Sequence, residues 1–231
     1  MQRLAEVARS IAFYIAFYVG GAFFIAIAAL MIPAPRAVFR QAVRNWAGWH
    51  RFCARWLLGI RVRIEGNIPA GPVLIALKHE SFFEAIDLTR LLDCPAVFAK
   101  AELMQIPVWS LAGRRYGLVE VHRDQGAKAL RHMLTAARGF SAEGRPLAIF
   151  PEGSRIPHGE ERALKSGFAG IYKLLGLPVV PVAVNSGPLY HRRWKRSGTV
   201  TYRFAEPIPP GLPRAEAEAR VIAAINALNH Q

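Results

Sequence analysis

Val73–Asp87, VLIALKHESFFEAID, is the stretch from which the rest of the chain can be read. Val73 to Leu77 is apolar and has the length of a buried strand. The run stops at Lys78-His79-Glu80-Ser81, and a helical pattern begins at Phe82. His79 is therefore predicted at the end of a central strand, on the sheet edge where open α/β folds commonly bind ligands. Glu84 follows about one turn into the helix. A carboxylate there can reach back to the imidazole, fix its tautomer and raise its basicity, which is the base-and-orienter half of a catalytic triad. The same residues allow a purely structural alternative. Ser81-Phe82-Phe83-Glu84 fits S-x-x-E, a capping box in which Glu84 bonds the Ser81 N–H and does no chemistry.

Composition narrows the classes. The chain has 231 residues and is 52% hydrophobic, enough for one well-cored domain plus an appendage. A net charge of +14 and a pI near 10.7 point to nucleic acid, an anionic membrane surface or acidic ligands. Cys53 and Cys94 match no metal or redox spacing. No G-x-G-x-x-G, G-x-x-x-x-G-K-[ST] or G-x-S-x-G occurs, so dinucleotide, P-loop and serine-hydrolase readings have no motif behind them.

Outward from the opening stretch, the first 58 residues read as a membrane-anchoring helix pair and residues 59–231 as an α/β domain. Ile11 to Ile32 carries no charge and is long enough to span a bilayer with some tilt. A cleavable signal competes, since Arg3 and Arg9 precede the run and Ala26-Ile27-Ala28 resembles a cleavage site. The length of the run and the segment after it favour retention. Pro33 and Pro35 break the pattern, and a second helix is expected over Arg36–Leu58. It sets Arg40, Arg44, Arg51 and Arg55 on one face, opposite Phe39, Val43, Trp46, Trp49, Cys53, Trp56 and Leu57. That pattern suits a helix lying among lipid headgroups; an amphipathic helix packed on the domain is the alternative. The first helix either spans or forms, with the second, a hairpin in one leaflet. In both cases the domain faces the cytosol, on the cytoplasmic face of the inner membrane.

Beyond Gly59, strands are expected at Arg61–Glu65, Val73–Leu77, Ala96–Ala99, Leu118–Val121, Leu147–Phe150, Val179–Val184 and Thr199–Phe204. Helices are expected at Phe82–Leu92, Pro107–Gly113, Gln125–Phe140, Gly167–Leu175 and Arg214–Leu228. The alternation gives an α/β fold with a largely buried sheet. Pro181 demotes the sixth strand to an edge or irregular position. Four further stretches place charge or a turn just past a strand: Lys100-Ala101-Glu102-Leu103, Gly117 to Arg123, Phe150 to Arg155, and Val182 to Gly187. Several basic groups beyond successive strands suggest an anion site, arginine supplying a planar fork and lysine a point charge.

The order of these blocks resembles the glycerolipid acyltransferases, closest to the 1-acyl-sn-glycerol-3-phosphate acyltransferases, from about Gly59 to Pro207. The family's H-x4-D motif is similar to His79–Glu84, with glutamate for aspartate. The second motif's arginine is matched by Arg123, although His122 stands where aspartate is usual. F-P-E-G-[ST]-R is matched throughout by Phe150–Arg155, and a V-P-V strand ending by Val180–Val182. Lys100 falls where the family has a phosphate-contacting lysine. Asp87, further along the helix, is a lesser candidate for orienting His79.

This resemblance implies transfer of a fatty acyl group from a thioester to the sn-2 hydroxyl of lysophosphatidic acid. His79 would be the base and Glu84 its orienter. Lys100, Arg123 and Arg155 would clamp the phosphate. Glu152 would bind a glycerol hydroxyl or hold Arg155, with Gly153 and Ser154 completing the substrate-binding turn. The donor would be an acyl-carrier-protein or coenzyme A thioester; the basic loop His191–Arg196 could meet the carrier protein or the coenzyme A phosphates, with a solvated or membrane-facing loop as the alternative. No metal or resident cofactor is expected. A nucleic-acid partner is not expected either, because much of the basic charge sits on the second helix or in these blocks and no recognition motif occurs. Another lysolipid acceptor is the nearest alternative; a non-catalytic membrane-binding protein of this fold is the alternative from a different class.

Overall fold

A computed structural model of the chain describes residues 2–105, 107–121 and 126–230. Helices α1 (Gln2–Leu30) and α2 (Arg36–Cys53) form an antiparallel pair, and α2 runs on as a π-helical turn, Ala54–Leu58. Gly59 ends that turn at φ +73°, in the left-handed region. The remainder alternates: β1 (Ile60–Glu65), β2 (Leu74–Leu77), α3 (Phe82–Leu91), β3 (Ala96–Lys100), a 3₁₀ turn (Ala101–Gln105), α4 (Pro107–Tyr116), β4 (Leu118–Val121), α5 (Gly126–Ala142), β5 (Leu147–Ile149), α6 (Ser166–Leu175), β6 (Val179–Val184), α7 (Gly187–Tyr190), β7 (Gly198–Phe204) and α8 (Arg214–Ile225).

The seven strands form one sheet in the order β1-β7-β6-β2-β5-β3-β4. From β6 to β4 all neighbours run parallel; β7 turns antiparallel to β6, and β1 lies parallel to β7. The ends of β2, β3, β4, β5 and β6 therefore meet at one edge, where every chemistry-bearing stretch was expected. Alternate residues of β2 feed two cores. Ile75 and Leu77 face Phe13, Cys53, Phe83 and Leu88, whereas Leu74 and Ala76 face Phe168, Ile171 and Val221.

Two expectations change. Strand β6 is central and buried along its whole length despite Pro181. The carbonyls of Pro178 and Val182 accept from β2, so the Pro181 nitrogen turns to the β7 side. There the Pro181 carbonyl still accepts from the Ala205 N–H at 2.9 Å, and the one bond the proline cannot donate falls in the gap between the Val179–Ile208 bridge and the Val182–Phe204 pair.

Most of the arginine face of α2 also meets the domain, whereas Arg55 stays exposed beside Trp56. Arg36 and Arg40 reach Glu143 at 3.6 and 3.2 Å, Arg44 reaches Asp93 at 3.8 Å, and Arg51 binds Asp87 through two bonds of 2.8 and 2.5 Å. The domain offers acids to that face, while the residues α2 buries are Phe39, Ala42, Ala47, His50 and Cys53. Trp49 lies against Gly20 of α1, where a Cβ would overlap the indole, while Phe52 and Trp56 stay exposed.

Helix α1 is by length and composition apolar enough to cross a membrane. Its first half is docked nonetheless. Ser10 Oγ accepts from the Lys195 N–H at 2.8 Å, and Tyr14 Oη donates to the Arg193 carbonyl at 2.6 Å. At the far end, Arg115 of α4 donates to the Ala34 carbonyl in the hairpin turn. Ile15, Val19, Phe23 and Leu30 remain exposed along its outer side.

Candidate active site

The site begins where β2 stops. Ser81 caps α3 in extended conformation and accepts from the Phe83 N–H, while the Glu84 side chain returns to the Ser81 N–H. The capping box is thus real. The same carboxylate also meets the imidazole, with Glu84 Oε1 lying 2.9 Å from His79 Nδ1. The two readings of Glu84 coexist because the bonds that cap the helix aim one oxygen at His79.

Glu84 is buried and surrounded by donors. Oε1 takes the N–H groups of Glu80 and Ser81 at 2.7 and 2.6 Å; Oε2 takes the hydroxyls of Ser81 and Ser186 at 2.9 and 2.6 Å. Burial, the largest influence, pushes this carboxyl up. The hydrogen bond and charge of His79, with Ser186 and the Ser81 N–H, outweigh it and hold the group below its ordinary value. His79 stacks on Phe150 with ring centroids 4.1 Å apart and is 16% exposed. With Nδ1 committed to Glu84, Nε2 is the nitrogen left to face a substrate.

Glu152, from the turn after β5, is buried and joins Lys78, not Arg155. Lys78 Nζ reaches Glu152 Oε1 at 2.9 Å, the Glu160 carbonyl at 2.8 Å and Asn226 Oδ1 at 2.6 Å. Glu152 Oε2 accepts from the His79 N–H at 3.4 Å. Burial drives the Glu152 carboxyl up, against the downward pull of Lys78. This network clamps the end of β2 to the β5 turn and to the end of α8. Arg155 instead lies exposed, its guanidinium 4.3 Å from the centre of the Phe82 ring. Gly153 makes the turn at φ +70°, and Ser154 beside it is half-buried.

Of the other expected residues, Lys100 stands exposed at the end of β3, two strands from His79. Arg123 lies outside the described residues. Asp87 is turned away from His79 and occupied by Arg51. Lys78, Ser186 and Asn226 were not expected to matter. Ser186 lies in a stretch already marked as strand-into-turn, and Lys78 lies inside the opening quotation; Asn226 carries no local signal.

With that geometry in view, comparison with known proteins is decisive. A family model described as Acyltransferase matches residues 59–185. The chain belongs to the acyltransferase family. This acyltransferase is 30% identical over 198 residues to the 1-acyl-sn-glycerol-3-phosphate acyltransferase of Pseudomonas aeruginosa, covering 85% of this chain and 75% of that protein. It is 26% identical over 206 residues to the human 1-acyl-sn-glycerol-3-phosphate acyltransferase alpha, covering 85% and 72%. In fold it matches the 1-acyl-sn-glycerophosphate (LPA) acyltransferase PlsC of Thermotoga maritima, with a TM-score of 0.75 at 24% identity over 100% and 99% of the two chains. The recognised blocks, His79–Glu84, Phe150–Arg155 and Val180–Val182, all fall within the matched region.

Proposed function

We propose that this acyltransferase moves a fatty acyl group from an acyl thioester to the sn-2 hydroxyl of lysophosphatidic acid, yielding phosphatidic acid and a free thiol. One observation carries the reading: His79 at the common strand edge, held through Nδ1 by a buried carboxylate, with Nε2 left for substrate.

His79 Nε2 takes the hydroxyl proton as that oxygen attacks the thioester carbonyl carbon. Glu84 stabilises the imidazolium. The tetrahedral adduct then expels the thiolate, which recovers the proton from Nε2–H. Base assistance of this kind is worth about 10²–10⁴-fold. Ser81 and Ser186 are committed to Glu84, which favours direct transfer over an acyl-enzyme. The thioester is already activated, so no resident cofactor is required.

Lys100, Arg123 and Arg155 bind the acceptor phosphate, with Gly153 and Ser154 at the turn below it. Glu152 acts beneath the site through Lys78 and the His79 backbone. The donor's phosphates, on acyl carrier protein or coenzyme A, meet a basic recess beside Phe82. This cavity of about 320 Å³ is lined by Phe82, Tyr190, His191, Arg192, Arg193 and Lys195. Among the described residues Arg192 Nε has no hydrogen-bond partner, and the Arg193 guanidinium lies 4.9 Å from the centre of the Trp194 ring. Lys195 differs: it is buried, donates to the Tyr190 carbonyl at 2.8 Å, and has its pKa lowered by burial to about 8.

Residues 1–58 serve as the anchor and 59–231 as the catalytic domain, on the cytoplasmic face of the inner membrane. The hairpin turn at Ala34 is tied to α4, and α2 is tied to the domain by its arginines. Those ties support a hairpin set into one leaflet rather than a span. The exposed outer side of α1 would enter the lipid, and the substrates need not leave it fully.

The test uses membranes carrying the protein, lysophosphatidic acid and both donor types, following phosphatidic acid for wild type and His79→Ala. Product from wild type that disappears with His79→Ala is expected. A folded wild type that acylates this acceptor from neither donor rejects the reading, and a panel of other lysolipids would then identify the acceptor.

A further inference from the structure

A second histidine–carboxylate pair lies behind the first and has no place in the mechanism above. Glu80 is fully buried, with Oε1 lying 2.9 Å from His158 Nδ1 and Oε2 accepting the Gly187 N–H at 2.8 Å. Gly187 directly follows Ser186, whose hydroxyl donates to Glu84. Two neighbouring residues of one turn after β6 are thus each anchored to a carboxylate from the stretch 80–84.

We propose that Glu80 and His158 are positioning residues that hold the Ser186–Gly187 turn, keeping the Ser186 hydroxyl on Glu84 and so the Glu84 carboxylate on His79. The inference rests on the reading of His79 as base.

Steric fit supports a built contact. A Cβ on Gly187 would come within 3.0 Å of Glu80 Oε2 and 3.4 Å of both the Glu80 and His158 Cβ atoms. Glycine is what lets the backbone N–H approach so closely. His158 arrives from the loop after β5, which is itself tied to the site by the Ile156 N–H donating to the His79 carbonyl at 2.7 Å. One buried carboxylate therefore joins the ends of β2, β5 and β6. Burial pushes the Glu80 carboxyl up, while the Gly187 N–H and His158 draw it down. Without those donors the buried group would be costly to keep.

The link to chemistry runs through one oxygen. Glu84 Oε1 faces His79, and Oε2 is held by the Ser81 and Ser186 hydroxyls. If the turn shifts, Oε2 keeps only Ser81, and the plane of the carboxylate that orients His79 loosens. A hydrogen bond to a charged group of this kind corresponds to about 10-fold or more in rate.

Steady-state kinetics on purified full-length protein decide it. Ser186→Ala and Glu80→Ala are each expected to lower kcat by about 10-fold, with KM for acceptor and donor unchanged. Glu80→Gln should restore most of the loss, because its amide oxygen accepts from Gly187 and its N–H donates to His158 Nδ1. In the Ser186→Ala background, Glu80→Ala should cost less than about twofold more, the signature of two groups acting through one contact. Equal losses in both backgrounds, a change in KM alone, or a Glu80→Gln variant as impaired as Glu80→Ala would each overturn the proposal. If Glu80→Ala does not fold, Gly187→Ala replaces it in the same cycle. Activity that survives His79→Ala rejects the base assignment itself; an inactive His79→Ala with additive Glu80 and Ser186 losses rejects only the positioning role.

Discussion

Two histidines on the same half of this molecule show what makes an imidazole a base. His50, on α2, is fully buried with Nε2 2.9 Å from the Tyr190 hydroxyl, and its Nδ1 has no hydrogen-bond partner among the described residues. Phe17, Phe83 and Tyr190 close around it at centroid distances of 5.2, 5.0 and 5.5 Å. Burial first, then the charges of Lys195 and Arg51, bring its pKa down to about 3. It is a neutral core residue, sealing the seam between α1, α2 and α7. His79 also makes one side-chain hydrogen bond, but to a carboxylate, and its second nitrogen sits at a sheet edge. A proton accepted there is stabilised by Glu84; a proton on His50 would be stranded among rings and cations. Partner charge and access separate the two, not the residue type.

The largest effect should come from erasing that distinction at His79. Glu84→Ala is expected to lower kcat by about 10²-fold or more, since the imidazolium loses its counter-charge. A thermal melt should also fall, because the N–H groups of Glu80 and Ser81 and the Ser186 hydroxyl lose their acceptor. Next comes the clamp below the base. Lys78→Ala leaves Glu152 buried without its cation and should cost about 3–5 kcal/mol in denaturant unfolding. The paired change Lys78→Met with Glu152→Leu should recover much of that stability, which separates clamp strength from charge burial. A smaller effect is expected at the ligand side. Arg155→Ala should raise KM for lysophosphatidic acid by about 10-fold while changing stability by less than about 0.5 kcal/mol, since Arg155 is exposed and lies over the Phe82 ring.

The smallest expected effect on turnover is His50→Phe, which should leave kcat near that of the wild type. Its signature is in pH. The folded value is about 3 against an ordinary 6.5, so between those values the unfolded chain binds more protons. The stability contributed by neutral His50 is complete above pH 6.5 and is lost as pH falls toward 3. The slope of Tm against pH between about 6.5 and 5, where ordinary carboxylates remain mostly ionised, should flatten in His50→Phe. An unchanged slope would mean that His50 takes up its proton without disturbing the fold.

Legibility followed distance along the chain. The strand-to-helix junction, the Glu84 cap and its reach to His79 were readable because all lie within one turn of helix. The turn after β5 was readable as a motif, yet the partner of Glu152 was not. Lys78 lies 74 residues away and looks, locally, like any strand-end charge. The arginine stripe of α2 was visible, but its direction was not, because periodicity defines a face without saying what covers it. Pro181 misled for a related reason. A proline excludes a strand bond only on the side its nitrogen faces, and that side is set by register.

By itself the sequence determined the helix pair, the alternation of strands and helices, and the chemistry carried at each strand end. These follow from local periodicity and from blocks of adjacent residues. Only the tertiary structure decided that β6 and β5 flank β2, and with that which groups share the edge. Ser186 reaches Glu84 across 102 residues and Asn226 reaches Lys78 across 148. Spacing governs which groups can meet within a turn; strand order, set by burial of the whole sheet, governs which distant groups meet around His79.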